Sequence, residues 1–277
     1  MARRLAILGC GTMGETILAS SLQAGTFVAA DIVATVRRSE HGDAIRERHG
    51  VEVTTDNAAA CERADVVVVS VKPQYMGELL DDDRVRAATA GKLVISIAAG
   101  VRVATIGRWL PGAAIVRAMP NTPCLARCGM TVLAPGPRAG AEHLAIARDL
   151  FAPVGRVLVL EDKHMDAVTS LNGSGPAFAY VMLEALADGG VMMGLRRDVA
   201  LEIAAQVFLG AASMVLDTGL HPAALKDQVT TPAGSTIAGL LTMEDGRIRS
   251  VLARTIQEAT KVAASLGEPV APRADDH

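Results

Sequence analysis

The sequence predicts an α/β amino-terminal domain with a parallel sheet, followed by an all-helical carboxy-terminal domain. Three observations carry this reading. Up to residue 161, short β-branched runs alternate with longer amphipathic stretches, which is the rhythm of βαβ units. One run, "ADVVVVSV" at 64–71, is apolar at nearly every position, as a central parallel strand covered on both faces must be. Beyond Leu160 no strand-like run appears, and the chain reads as successive helices.

Taken in order, "RLAILG" opens as a strand with a helix at 13–24, and "DIVATV" with a helix at 42–49 repeats the unit. The strands continue with "ADVVVVSV", "KLVISIA", "AIVRAM", "GMTVLAP" and "GRVLVL". Helices are expected over 162–171, 176–193, 198–217, 222–230, 235–243 and 247–265, with Asp198 and Ser235 as N-caps and Gly194 and Gly219 at helix ends. The expected domains are therefore 1–161 and 162–277. The helix around 199–216 is apolar over much of its circumference, more than one small domain can bury, so the second domain is expected to form a homo-oligomer. The tail after Gly267 reads as disordered.

Composition narrows the function classes. Half of the 277 residues are hydrophobic, which suits two cores, while aromatics are only 3 %, so those cores must be aliphatic. Four unpatterned cysteines exclude a disulfide scaffold, and Cys124 with Cys128 lacks the second ligand pair of a zinc site, so no metal is expected. A net charge of −3 excludes a generally basic surface, hence no nucleic-acid partner. Arg3 and Arg4 precede an apolar run too short for a signal peptide, and the helix at 176–195 carries Glu184, Asp188 and a Gly-Gly pair, so no membrane span is expected there. A soluble cytoplasmic protein is the expectation.

"AILGCGTMG" places Gly9, Gly11 and Gly14 as GxGxxG after a strand and at the opening of a helix. Glycine permits the tight turn and the close approach of backbone to a pyrophosphate, and the helix start at Thr12 and Met13 offers N–H donors, so the first domain reads as Rossmann-type. The second strand ends in Arg37 and Arg38 with no acidic residue for a ribose 2′-hydroxyl; guanidinium groups suit a 2′-phosphate, which favours NADPH while leaving NADH possible. Lys72 and Pro73 in "SVKPQ", Ala98 in "ISIAAG", and Asn121 in "RAMPNTP" end further strands at the edge where open sheets bind ligands. "VTTPAGSTIAGL" at 229–240 interrupts the helical half: Pro232 and Gly234 break one helix and another begins near Ser235 with its first N–H groups unpaired, a site for a carboxylate. The alternative is that Ser235 and Thr236 only cap a helix.

This ordered set, together with "NGSGPAFAYVMLEALADGGVMMGL" and "HPAALKDQVTTPAGSTIAGL", resembles the pyrroline-5-carboxylate reductase family over about 5–267. The resemblance implies hydride transfer from NAD(P)H to the C=N bond of 1-pyrroline-5-carboxylate, giving L-proline. It also implies a helical domain that interlocks in a dimer, with dimers assembling into larger rings. It places Thr236 on the ring nitrogen and the backbone around Gly234 and Ser235 on the substrate carboxylate; Asn121, at the end of its strand, is read as a substrate contact. Asn57 is placed on the adenosine ribose and Val71, Lys72 and Pro73 on the cofactor. The chain departs from the family's usual residues at Thr231, at Ala233 where glycine is usual, and at Phe178 where tyrosine is frequent. The added methyl of Ala233 leaves another cyclic imino acid open as substrate.

The chemistry asks for few side chains. A protonated imine is already electrophilic, so orientation and a hydrogen-bond partner for nitrogen suffice, and Thr236 is read as an orienting or proton-relaying group. Two alternatives remain at this point. A β-hydroxyacid dehydrogenase shares the architecture, but Ala179 stands where that family has its catalytic lysine. An NADP-binding regulatory protein would bind cofactor without turnover.

Overall fold

The computed structural model describes residues 3–266. The chain forms two compact units, the first running to Ser174 and taking in the stretch from Ala259, the second spanning Gly175–Glu258. Strands are β1 (Leu5–Leu8), β2 (Ile32–Thr35), β3 (Glu52–Thr54), β4 (Val66–Val69), β5 (Leu93–Ser96), β6 (Ala114–Met119), β7 (Gly129–Pro135) and β8 (Gly155–Val159). Helices of the first unit are α1 (Thr12–Gln23), α2 (Ser39–His49), α3 (Asn57–Glu62), α4 (Met76–Leu80), α5 (Asp83–Thr89), α6 (Val103–Trp109), α7 (Ala141–Phe151) and α8 (Met165–Val168). They are followed by α9 (Gly175–Met192), α10 (Arg197–Thr218), α11 (Pro222–Gln228), α12 (Ser235–Asp245) and α13 (Ile248–Ser265).

The eight strands among the described residues lie in one sheet of order β3-β2-β1-β4-β5-β6-β7-β8. Every neighbouring pair is parallel except β6 and β7, which run antiparallel. The expected parallel sheet is thus present with one reversal, whose cause is local. Only residues 120–128 separate β6 from β7, too few for a crossover helix, so the chain can only turn back. The α7 crossover then restores parallel pairing between β7 and β8.

Side-chain alternation explains the two cores. Leu5 and Ile7 of β1 pack with Ile17 and Leu18 of α1, Ile45 of α2 and Phe151 of α7. Ala6 and Leu8 face the other way, with Ala60 of α3, Met76 and Leu80 of α4 and Ile106 of α6. A strand buried on both faces must be apolar throughout, which is why β1, β2, β4 and β5 are buried at all four positions and easily read from sequence. β3 was not expected. It is a three-residue edge strand with Glu52 exposed, and it carries no apolar run to signal it.

The expected boundary at 161 separates strands from helices, but the packing of the first unit extends to Ser174. The helix expected at 162–171 is a one-turn 3-10 segment Asp162–His164, then α8, then a π-helical segment Thr169–Ser174. Buried Arg117 of β6 pairs with Asp162 at 3.2 Å and with Asp166 at 3.8 Å, and Arg102 reaches the other oxygen of Asp166 at 3.4 Å. Gly173 leaves room for the Met119 side chain; a Cβ there would come within 2.5 Å of its Cε.

In the second unit α9 and α10 pack against each other, and Gly190 allows a close approach, since a Cβ there would sit 3.2 Å from that of Ala200. Asp198 is not the N-cap of α10; Arg196 is, and its guanidinium pairs with Asp198 inside the first turn. Gly219 ends α10 at φ 66°, as expected of a C-terminal glycine. Exposed apolar side chains crowd this unit, among them Val181 and Leu186 of α9, Val207, Leu209 and Leu216 of α10, and Leu241 of α12. By length and composition alone α10 could cross a membrane. The tail after Gly267 lies outside the described residues.

Candidate functional site

β1, β2, β4, β5 and β6 are mutually parallel, so the loops that follow them open along one edge of the sheet. Gly9 leaves β1 at φ 81°, and a Cβ there would lie 2.5 Å from Cγ1 of Val71, so only glycine fits the turn. Gly11 then caps α1 without a side chain, leaving the first-turn amides around Thr12 and Met13 uncovered. Gly14 brings α1 against β4; a Cβ would come within 3.1 Å of Ser70 Oγ. Burial pushes the Cys10 thiol up to about 12, so this cysteine of the loop is no nucleophile. Glu15 in the first turn is partly desolvated, yet hydrogen bonds from His49 and Arg48 more than offset that and hold its carboxyl below the usual range.

Arg37 and Arg38 follow β2 and are both exposed. The Arg37 guanidinium lies 5.1 Å from the ring centroid of Tyr75, which keeps a positive charge over the one-turn helix Pro73–Tyr75. Lys72 is the N-cap of that turn and is itself exposed. Asn57 opens α3, and its Oδ1 accepts a hydrogen bond from Thr35 Oγ1 at 2.6 Å. A groove of about 550 Å³ along α1 takes in Gly11 and Thr12, and is lined besides by Glu15, His41, His49 and Arg127.

Two expected site residues are placed differently. Ala98 is 2 % exposed, with its methyl in the core and its N–H donated to Ser96 Oγ at 3.3 Å, so its side chain does not reach the lip. Asn121 is a fastener: its Oδ1 accepts from Met130 N–H at 2.9 Å and its Nδ2 donates to Asn172 Oδ1 at 2.9 Å. Asn172 in turn donates to the Met119 and Met130 carbonyls at 2.7 and 3.0 Å. Both carboxamides are thus committed to holding the β6–β7 turn and the π-helical segment together.

In the second unit, the break at 229–240 is a tight turn followed by a helix start. Gly234 N–H donates to Thr231 O at 3.1 Å, with Pro232 and Ala233 as the central residues. Ala233 takes φ 56°, the left-handed region. Gly234, not Ser235, is the N-cap of α12, and no side chain caps this helix. The correction matters chemically. Ser235 and Thr236 become the first two helical residues, and neither hydroxyl takes part in a hydrogen bond among the described residues. Thr218, Thr242 and Thr255 each donate to a carbonyl four residues back, but Thr236 has Pro232 at that offset, outside the helix. Its hydroxyl is therefore available, as are the first amides of α12.

The strain at Ala233 gives a direct test. Ala233→Gly removes a left-handed Cβ, which costs about 1–2 kcal/mol, and adds back the greater freedom of unfolded glycine. The net expectation is a gain of about 0.5–1 kcal/mol, seen as a higher thermal midpoint. A lower midpoint would show that the turn is not held as described.

Three further residues were not singled out in the sequence. Tyr75 lies two positions after Pro73, Thr35 ends β2, and Arg117 is a lone charge in an otherwise apolar strand, a pattern that by itself marks a buried ion pair.

Residues 162–266 match the family described as pyrroline-5-carboxylate reductase dimerisation, and residues 4–100 match the family described as NADP oxidoreductase, coenzyme F420-dependent. The pyrroline-5-carboxylate reductase of Synechocystis sp. is 39 % identical over 272 residues, covering 97 % of this chain and 100 % of that protein. The solved pyrroline-5-carboxylate reductase of Coxiella burnetii superposes with a TM-score of 0.89 at 30 % identity, over 97 % of this chain and 100 % of that one. The NADP-bound pyrroline carboxylate reductase of Plasmodium falciparum shares the fold, with a TM-score of 0.85 at 24 % identity over 96 % of this chain and 98 % of that one. With such similarity over nearly its whole length, the chain belongs to the pyrroline-5-carboxylate reductase family.

Proposed function

We propose that the protein reduces 1-pyrroline-5-carboxylate to L-proline with NADPH, in the cytoplasm, as a homo-oligomer. The single observation that carries the reading beyond family membership is the start of α12, where the amides and the Ser235 and Thr236 hydroxyls are not engaged among the described residues. The amides following Gly234 suit the substrate carboxylate. Thr236 suits its nitrogen for a physical reason: a hydroxyl accepts from the protonated imine N–H before reaction and donates to the amine lone pair after it. The expected substrate role of Asn121 is kept for its backbone, since its carboxamide is committed elsewhere.

The glycine cradle, where a side chain at Gly9 would collide with Val71, fits a dinucleotide, with Thr12, Met13, Asn57, Val71, Lys72 and Pro73 as its further contacts. When bound, NADPH supplies the hydride that adds to the imine carbon, leaving a C–N single bond and NADP⁺. Ala98 contributes only backbone. Purified protein mixed with NADPH and pyrroline-5-carboxylate should consume NADPH. No consumption by folded protein that binds NADPH would reject the reductase reading in favour of a regulatory one. A six-membered cyclic imino acid run alongside tests whether the Ala233 methyl has shifted the preference.

Arg37 and Arg38 supply the 2′-phosphate contact in this reading. Replacing both with serine should weaken NADPH binding by roughly 10- to 100-fold, the range of one or two charge-assisted hydrogen bonds, with little change for NADH. An unchanged NADPH-to-NADH ratio would remove them from the site.

The exposed apolar faces of α9, α10 and α12 are read as the surface covered by a second copy. Dimers, and rings of dimers such as a decamer, are the assemblies the family suggests. Light scattering or sedimentation at several concentrations reads the stoichiometry, and a monomer throughout would contradict this.

A further inference from the structure

We infer that Thr35 is a positioning residue for the cofactor site, acting through Asn57 and through the backbone of the glycine-rich loop; this rests on reading the first unit as an NADPH site. Thr35 is the last residue of β2 and is 2 % exposed, so it touches no ligand itself. Its hydroxyl joins two segments that lie far apart in sequence. Oγ1 accepts from the Gly9 N–H at 3.0 Å and donates to Asn57 Oδ1 at 2.6 Å. The Thr35 carbonyl also accepts from Cys10 N–H at 2.7 Å, so one residue holds two successive amides of the loop.

The direction of each bond follows from elementary donor and acceptor chemistry. A backbone N–H can only donate, so Oγ1 is the acceptor toward Gly9. The hydroxyl hydrogen is directed to Asn57, whose Oδ1 lies 2.6 Å away and accepts it. Asn57 Nδ2, with two hydrogens, consequently faces away from Thr35. Asn57 therefore offers donors outward and selects an acceptor oxygen, such as a ribose hydroxyl or a phosphate. In the same network, Gly9 is held at the φ of 81° that the turn requires. The relay is invisible to the GxGxxG pattern, because Thr35 lies on the next strand and contributes no glycine.

Valine has the shape of threonine and lacks the hydroxyl. Thr35→Val would leave the Gly9 N–H and Asn57 Oδ1 without their partner and release both from the described orientation. NADPH binding, measured directly by calorimetry on the full chain, is expected to weaken roughly tenfold, with KM for NADPH rising in step and kcat at saturating NADPH staying within about twofold. Thr35→Ser restores the hydroxyl and should return Kd to within about twofold of wild type. A residue that only stabilised the fold would lower the thermal midpoint without this split between KM and kcat.

A double-mutant cycle with Asn57→Ala tests the relay itself. If Thr35 acts through Asn57, the combined loss falls clearly short of the product of the two single losses. A full product, a wild-type Kd in folded Thr35→Val, or a fall in kcat at unchanged Kd would each overturn the inference. Should the valine variant fail to fold, Thr35→Cys, whose thiol hydrogen-bonds too weakly to hold both groups, takes its place in the cycle. NADPH binding needs no imine, so a wild-type protein that binds NADPH without reducing pyrroline-5-carboxylate sinks the reductase reading and leaves this one standing. A wild-type protein that binds no NADPH overturns this one.

Discussion

Thr236→Ala is expected to lower kcat roughly 10- to 100-fold while leaving NADPH affinity near the wild-type value. The magnitude is that of one hydrogen bond to a charged partner, about 1.5–3 kcal/mol, taken from the reacting state. Competing terms are small. Thr236 is half-buried, its hydroxyl makes no hydrogen bond among the described residues, and it follows a helix start that Gly234 already defines, so truncation disturbs little structure. Thr236→Ser keeps the hydroxyl and should recover most of the rate. The residues proposed to hold the cofactor all belong to the first unit, so a binding measurement with NADPH separates the two roles. Equal loss of NADPH binding in Thr236→Ala would assign the segment to the wrong ligand, and wild-type kcat would leave the nitrogen without its partner.

What the sequence revealed here follows from the range of the interactions involved. Central strands were legible because burial on both faces forces every residue of a stretch such as Val66–Val69 to be apolar. The glycine loop was legible because its constraint is local: the turn at Gly9 and the approach of Gly14 to Ser70 depend on residue type alone. The direction of β7 was also present, in the shortness of the 120–128 connection, but it takes a length argument rather than a pattern to find it. Edge strand β3 has neither.

Side-chain partnerships were not legible, because the partners are distant in sequence. Thr35 and Asn57 are 22 residues apart, and Asn121 and Asn172 are 51 apart. Motif and resemblance could mark Asn121 as a candidate, yet could not show that its carboxamide fastens Met130 and Asn172. Ser235 shows the same limit at short range. A serine before a helical run reads as an N-cap, and only the geometry of Gly234 shows that the cap is glycine and the serine hydroxyl is unspent.

Arg117→Met is expected to destabilise the protein by about 3–5 kcal/mol, a fall of roughly 10 °C in thermal midpoint. Arg117 is 1 % exposed at its side chain and stands between Asp162 and Asp166, themselves 26 % and 18 % exposed. Burying the guanidinium is costly in itself, and its Nη2 makes no hydrogen bond among the described residues: the 3.8 Å to Asp166 is an ion-pair distance, too long for one. The folded state tolerates this because the two carboxylates would otherwise face each other with only Arg102, 62 % exposed and so screened by solvent, as counter-charge. Methionine fills similar volume, so the expected loss comes from stranded carboxylates and not from a cavity. The triple variant Arg117→Met, Asp162→Asn, Asp166→Asn separates these causes: with both charges removed and the Asp162 contact to Val103 N–H preserved in the amide, most of the lost stability should return. If the triple variant is as unstable as the single one, packing around the guanidinium governs this junction; if Arg117→Met alone melts within about 3 °C of wild type, the ion cluster does not hold residues 162–166 to β6 at all.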